Sequence, residues 1–298
     1  MAVARTTATV PRVRRGWLKR PAPWLLLVAP ATLFLAALFV IPGLRILSFS
    51  FMVERPAGGD PAVWTLEHYQ KLFTEPLYQS VILRTFKIAF LVTIADLLVS
   101  YPIALAIVRI RSSWVRAFLV FAVISPLLTS IIVRTYGWMV ILSDQGPINR
   151  ALLALGVIDE PIRMLYNEFG VTVALVQVFV PFMVLSLVSA IQTIDPALEQ
   201  AAASLRANRL QTFIKVTLPL SAPGIVTGSV LVFILTLGSF VTPVLLGSAR
   251  TLMAAVLIRD QILGLYVWSF AAAVTAVLLV ATLVILAVYS RLVRRWSM

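Results

Sequence analysis

Six runs of mostly apolar residues recur along the chain, at about 24–52, 81–108, 117–142, 169–192, 221–246 and 269–291. Each is long enough to cross a bilayer as a helix, which takes about 20 residues. Inside a bilayer no water is at hand for an unpaired N–H or C=O, so runs of this kind fold as spanning helices. The chain therefore reads as an all-α, polytopic membrane protein with about six transmembrane helices. Its charged share of 12% is about half that of a typical soluble domain. No polar stretch is long enough to enclose a core of its own. The first run contains Pro30 and Pro42, so it is either a kinked helix or an entry segment followed by a helix.

Several function classes fall away on composition. There are no cysteines, which removes disulfides, thiol chemistry and Cys-ligated metals. The single histidine, His68, reads as an exposed loop residue, so neither a metal site nor a catalytic centre is expected. The net charge of +13 could suggest nucleic acid, but its distribution argues for control of membrane topology. Arg5, Arg12, Arg14, Arg15, Lys19 and Arg20 lie in a basic tail, residues 1–23. Basic residues then gather in alternate connections: Arg109, Arg111 and Arg116, then Arg206, Arg209 and Lys215, then the C-terminal end. The intervening connections hold most of the carboxylates. By the positive-inside rule the tail, both termini and the 193–220 loop are expected on the cytoplasmic side. Residues 24–298 are expected to form one transmembrane domain. The N-terminal apolar run is too long for a cleavable signal.

The connections themselves carry pattern. On the expected outer side, residues 60–80 hold two prolines and several aromatics. Residues 143–168 open on Gly146-Pro147 and continue as a short apolar helix from Ile148 to Leu155, suited to lie at the interface or to cap a pathway. The longest polar connection, residues 193–219, is built for water. Asp195-Pro196 is a helix start, with Asp as the cap and Pro in the first turn. Leu198, Ala201, Ala202 and Leu205 then share one face. Arg206-Ala207-Asn208 is a turn in which Asn208 takes either a left-handed or a capping conformation. A second short helix carries Leu210, Phe213, Ile214 and Thr217 on one face, with Pro219 as its end. Such a hairpin either rests on its own transmembrane core or is held by a partner, and the pattern alone leaves both open.

This connection resembles the EAA loop of binding-protein-dependent ABC importer permeases, in which Glu-Ala-Ala is followed after three residues by Gly and after nine more by Ile-x-Leu-Pro. Here the same spacing reads Gln200-Ala201-Ala202, Arg206, and Val216-Thr217-Leu218-Pro219. Gln200 stands in place of the Glu and Arg206 in place of the Gly. Glu199 offers a carboxylate one residue earlier, turned by about 100° around the helix. The stretch from Arg134 to Gly156 resembles spermidine/putrescine-type permeases of the B-type subunit.

The resemblance implies a type I ABC importer permease fold in a bacterial inner membrane. It also implies a second permease subunit, an ATPase dimer that binds ATP-Mg, and a periplasmic or lipid-anchored solute-binding protein. The hairpin would couple to the ATPase through Leu198, Glu199, Gln200, Ala201, Ala202, Leu205 and Arg206. No phosphate-cradling GxxxxGK[ST] stretch is present, so ATP hydrolysis is expected of a separate chain and no cofactor of this one. Polyamine is the first candidate solute; amino-acid-like or opine-like compounds and iron(III) are the others. A stand-alone secondary transporter is the different-class alternative, and the absence of a duplicated half argues against it. Ionisable residues inside spans default to functional roles. Asp96 is expected near mid-depth, with Arg134 roughly 10 Å nearer the outer surface by helix rise. Asp96, Tyr136, Trp138 and Asp144 are the candidate solute pathway, the two aromatics by cation–π contact or as members of an interfacial belt.

Overall fold

The computed structural model describes residues 23–53 and 63–296, so the basic tail lies outside the described residues up to the first turn of α1. Among the described residues all regular elements are helical, beside an isolated bridge between Met52 and Trp64. In chain order they are α1 (Pro23–Phe49), α2 (Glu67–Thr74), α3 (Pro76–Arg109), α4 (Ser113–Ile124), α5 (Ile131–Leu142), α6 (Pro147–Ala154) and α7 (Glu168–Gln192). After these come α8 (Pro196–Ser204), α9 (Arg209–Thr212), α10 (Leu218–Leu220), α11 (Ala222–Leu237), α12 (Val241–Leu246), α13 (Ala254–Leu263) and α14 (Trp268–Trp296). The chain divides into two compact units, 1–48 and 49–298. In the first, α1 is a single 27-residue helix that holds Pro30 and Pro42 within it.

Two of the expected spans are broken. The run at 117–142 becomes α4, a 3-10 turn at Ser125–Leu128, and α5, and the direction changes by 103° at the break. Pro126 supplies no N–H and Thr129 is extended, so the α-helical ladder cannot continue. Each half has 12 residues, roughly 18 Å by helix rise, short of a bilayer core. The run at 221–246 ends its first helix at Gly238 and restarts as α12. By length and composition, four described helices can each cross a membrane, or six segments if each bent pair counts as one span.

The second unit is organised around α7. Its buried side, Val171, Ala174, Leu175, Val178, Met183, Val184 and Leu187, packs with Ile88, Val92 and Ala104 of α3 and Val232 of α11. Apolar side chains gain little by leaving lipid, so close fit and small residues hold such helices together. Gly224 and Gly228 of α11 provide that fit at a four-residue spacing. A methyl group at 224 would strike the Ala190 side chain and lie 2.8 Å from the Ser186 carbonyl oxygen; one at 228 would lie 2.6 Å from Met183 Sδ. A second cluster joins α2, α3, α13 and α14 through Leu72, Tyr78, Val81, Leu257, Phe270 and Val274. There the Thr85 hydroxyl accepts the Ala254 N–H at 2.8 Å and donates to Val81 O at 2.7 Å. Helix α13 lies between the apolar runs at 221–246 and 269–291, where the hydropathy pattern predicts no span. His68 is part of α2, half-buried, with Nε2 3.0 Å from Met52 O and its ring against Phe270.

Gly224→Val should destabilise the protein by about 1–3 kcal/mol, the usual cost of overpacking. Thermal unfolding in detergent checks this, and a melting temperature equal to that of the parent would contradict the close α7–α11 approach.

Candidate functional site

The hairpin between α7 and α11 is built from local rules. Asp195 Oδ1 accepts the Ala197 N–H at 2.9 Å and Pro196 takes the first helical position, as the sequence predicts. Helix α8 closes with the Arg206 N–H on Ala203 O (2.9 Å) and the Ala207 N–H on Ala202 O (3.1 Å). That pair of bonds is a Schellman cap, which needs a left-handed residue next to the helix end. Here that residue is Arg206, at φ +61°. This is the position where the EAA pattern has glycine. Glycine takes this conformation freely, whereas other residues pay about 1–2 kcal/mol for the Cβ clash. The loop thus keeps its geometry despite the substitution.

Of the two conformations open to Asn208, the structure shows the cap. Its Oδ1 accepts the Gln211 N–H (2.8 Å) while Gln211 Oε1 accepts the Asn208 N–H (3.0 Å). The second arm departs from expectation. It is not one amphipathic α-helix ended by Pro219, but α9, a π-helical turn at Phe213–Thr217, and α10. The π-turn closes with the Leu218 N–H on Phe213 O. Pro219 brings no N–H of its own, and the chain bends by 63° into α11. Phe213 and Thr217 turn inward, while Leu210 and Ile214 stay exposed.

The hairpin therefore has two sides. Leu198, Gln200, Ala201, Leu205 and Arg206 face away from the rest of the chain, with Leu205 85% exposed. Ala202 is half-buried and belongs to the other side more than the sequence stripe suggests. Glu199 also turns inward: its Oε1 is 2.6 Å from Arg109 Nη2 at the end of α3 and accepts the Thr217 hydroxyl at 2.8 Å. The inward side is completed by Tyr101 of α3. Its ring meets Phe213 edge-on at 5.5 Å, and its hydroxyl is 2.6 Å from Ser221 Oγ.

The charges of the helical bundle are distributed unevenly. At the end remote from the hairpin, Glu168 ties α7 to α3 through Arg84 (3.3 Å) and Lys87 (2.6 Å). Asp144 is exposed at the same end, and Asn149 holds the 143–162 segment by hydrogen bonds to Ser143 O and to both main-chain groups of Ile162. Midway, Asp96 is fully buried, and its two carboxylate oxygens have no hydrogen-bond partner among the described residues. Arg134 Nε and Nη1 are likewise buried and unpartnered.

Depth along α7 differs from the expected order. Ser100 Oγ reaches Val180 O at 3.5 Å and Trp138 Nε1 reaches Gln177 Oε1 at 3.4 Å. Asp96 and Trp138 therefore stand at about the same level, and Arg134 lies a turn nearer the hairpin, roughly 6 Å by rise. The expectation of Arg134 outward of Asp96 is reversed, because the break before α5 uses up residues without climbing. Tyr136 is half-exposed on α5. The structure brings Asp96 and Trp138 to one level but not Asp144, which is at the remote end.

Over residues 32–298 the chain matches the family described as "Binding-protein-dependent transport system inner membrane component", and it belongs to that family. It is a multi-pass inner-membrane permease subunit of the ABC importer type. Among its relatives is the spermidine/putrescine transport system permease protein PotB of Escherichia coli (strain K12), 38% identical over 255 residues, covering 85% of this chain and 92% of the relative. PotB of Haemophilus influenzae is 36% identical over 252 residues, covering 85% and 87%. A solved bacterial alginate ABC transporter, in complex with its alginate pentasaccharide-bound periplasmic protein, shares the fold. Its TM-score is 0.72 at 22% identity, over 91% of this chain and 94% of that one.

Arg206→Gly should relieve the left-handed strain by about 1 kcal/mol and slow amide exchange at Ala207 and Asn208 roughly fivefold. Hydrogen exchange on the purified chain measures it. Faster exchange would mean that the arginine side chain, not the backbone shape, holds the turn.

Proposed function

We propose that this chain forms part of the translocation path of an ATP-driven polyamine importer, paired with a second permease subunit. Two ATPase subunits, which bind ATP-Mg, act from below, and a periplasmic or lipid-anchored solute-binding protein delivers the solute from above. The observation that carries the ATPase coupling is the two-sided hairpin, which is fastened inward yet keeps Leu198, Ala201 and Leu205 in the open. A surface of small and apolar residues on a water-built element suits a groove on a partner. Gln200, Ala202 and Arg206 flank that surface. Arg206 and the exposed Arg209 suit either the ATPase or lipid headgroups. Polyamine as the solute is supported by the relatives at 36–38% identity, which are spermidine/putrescine permeases. The lysine and arginine bias supports placing the tail, both termini and the hairpin in the cytoplasm.

In this reading the ATPase closes on ATP, drives paired hairpins together, and rocks the bundle from inward-open to outward-open. The permease hydrolyses nothing. A cation leaving the binding protein meets Asp144 first. Tyr136, with its ring half-exposed, and Trp138 then offer aromatic faces to an ammonium group. Asp96 shares the level of Trp138 but is shielded in the closed packing of the described conformation. A cation reaches it only when the helices around it part.

Three measurements test this. Copurification from native membranes should bring down an ATPase, a second permease and a binding protein that retains a polyamine. A different retained solute would keep the mechanism and sink the polyamine reading. Ala201→Arg should reduce uptake at least roughly tenfold, about 1.4 kcal/mol of lost contact, at unchanged membrane abundance; normal uptake would count against docking on that face. Asp96→Leu removes a buried polar group that has no hydrogen-bond partner among the described residues, so it should raise the melting temperature while lowering polyamine uptake. A higher melting temperature with unchanged uptake would return Asp96 to a purely structural account.

A further inference from the structure

Three sequence-distant elements meet on one oxygen atom at the hairpin end of the bundle. Glu199 Oε1, in the first turn of α8, lies 2.6 Å from Arg109 Nη2, the last residue of α3. The same oxygen accepts the hydroxyl of Thr217 at 2.8 Å, and Arg109 Nη2 also donates to that hydroxyl at 3.4 Å. Thr217 is fully buried and belongs to the π-turn of the second arm. Both charges suit the helix ends that carry them, a carboxylate at an N-terminus and a guanidinium at a C-terminus.

The covalent attachments of the hairpin run to α7 at Gln192 and to α11 at Ala222. Helix α3 has no such attachment, yet the polar contacts described between hairpin and spans converge on it. Eight residues before Arg109, Tyr101 holds Phe213 and Ser221. The second arm is thus gripped twice by α3. The first arm, which presents Leu198, Ala201 and Leu205, reaches α3 through Glu199.

We infer that Glu199, Arg109 and Thr217 form a latch that passes displacement of α8 to α3, the helix that carries Asp96. The inference rests on the reading that an ATPase grips the hairpin. Glu199 then serves within the chain and is not itself the residue that pairs with the ATPase. An ion pair this exposed is weak, because water screens both partners. It therefore adds little to overall stability. Its effect is on direction: with the latch closed, a push on α8 moves α3; with it open, α8 swings on its two connections. The three residues are positioning residues, since none meets solute.

The test uses the complete transporter in proteoliposomes, with solute taken up per ATP hydrolysed as the readout, alongside hydrogen exchange of the purified chain. Glu199→Gln keeps an acceptor for Thr217 and removes the ion pair. It should lower uptake per ATP about threefold and speed exchange of α8 amides by a similar factor. Arg109→Glu should do the same, and the reversed pair, Arg109→Glu with Glu199→Arg, should recover at least half of the parental ratio. An unchanged ratio in Glu199→Gln overturns the latch, even where α8 exchange is faster, and leaves the proposed function standing. A reversed pair no better than the single variants also overturns it. A parental chain that associates with no ATPase overturns both readings.

Discussion

Close packing of α7 against α3 and α11 is the contact on which the other features depend. In lipid the usual gain from apolar burial is absent, so helices stay together only where their surfaces fit. Gly224 and Gly228 let α11 approach Met183, Ser186 and Ala190 of α7. This approach fixes where α11 begins and so where the second arm of the hairpin must turn. It also brings Ser221 under Tyr101 of α3. The hairpin is therefore placed by the packing of the helices on either side of it and of α3, and its inward side is already defined before any partner is considered.

Much of this was legible from residues alone where the cause is local. The spans at 81–108, 169–192 and 269–291 correspond to α3, α7 and α14 because long apolar runs in lipid leave the backbone no other way to pair. Asp195-Pro196 and Asn208 act as caps because capping needs only neighbours within three residues. What was not legible depends on distant parts of the chain or on accumulated small breaks. Hydropathy does not register the loss of one N–H at Pro126, so the broken span at α4–α5 read as continuous, and the depth of Arg134 was misplaced with it. Helix α13 was missed because its start depends on a distant residue, the Thr85 hydroxyl of α3 that takes the Ala254 N–H. The four-residue glycine spacing in α11 was a usable signal that pattern reading for periodic apolar faces passes over.

The two departures from the EAA pattern have different physical meanings. Arg206 sits in a left-handed turn that any residue can occupy at a modest cost, and the Schellman bonds on both sides hold it there. Its substitution changes stability and surface charge more than shape. Gln200 is exposed, so the missing carboxylate alters only what the hairpin offers outward. The neighbouring Glu199 does not replace it, because a rotation of about 100° carries its side chain to the inward side, where Arg109 and Thr217 hold it.

Along α3 the charges follow a gradient of environment. Arg84 and Lys87 pair with Glu168 at one end, and Arg109 pairs with Glu199 at the other. These pairs are partly exposed, where water screens both partners and the cost of separation is small. Asp96, between them, is fully buried and has no hydrogen-bond partner among the described residues. A protein selected for stability alone would replace such a carboxylate with a leucine or an alanine. A helix with weak fastenings at its ends and an unpartnered buried carboxyl group in its middle is poorly fixed where it lies: breaking an end pair costs little, and any arrangement that gives Asp96 a hydrogen-bond donor or a cation is favoured. The unpartnered carboxyl group thus lowers the stability of the closed packing relative to whichever arrangement solvates it, which is the bias that the proposed rocking of the bundle calls for.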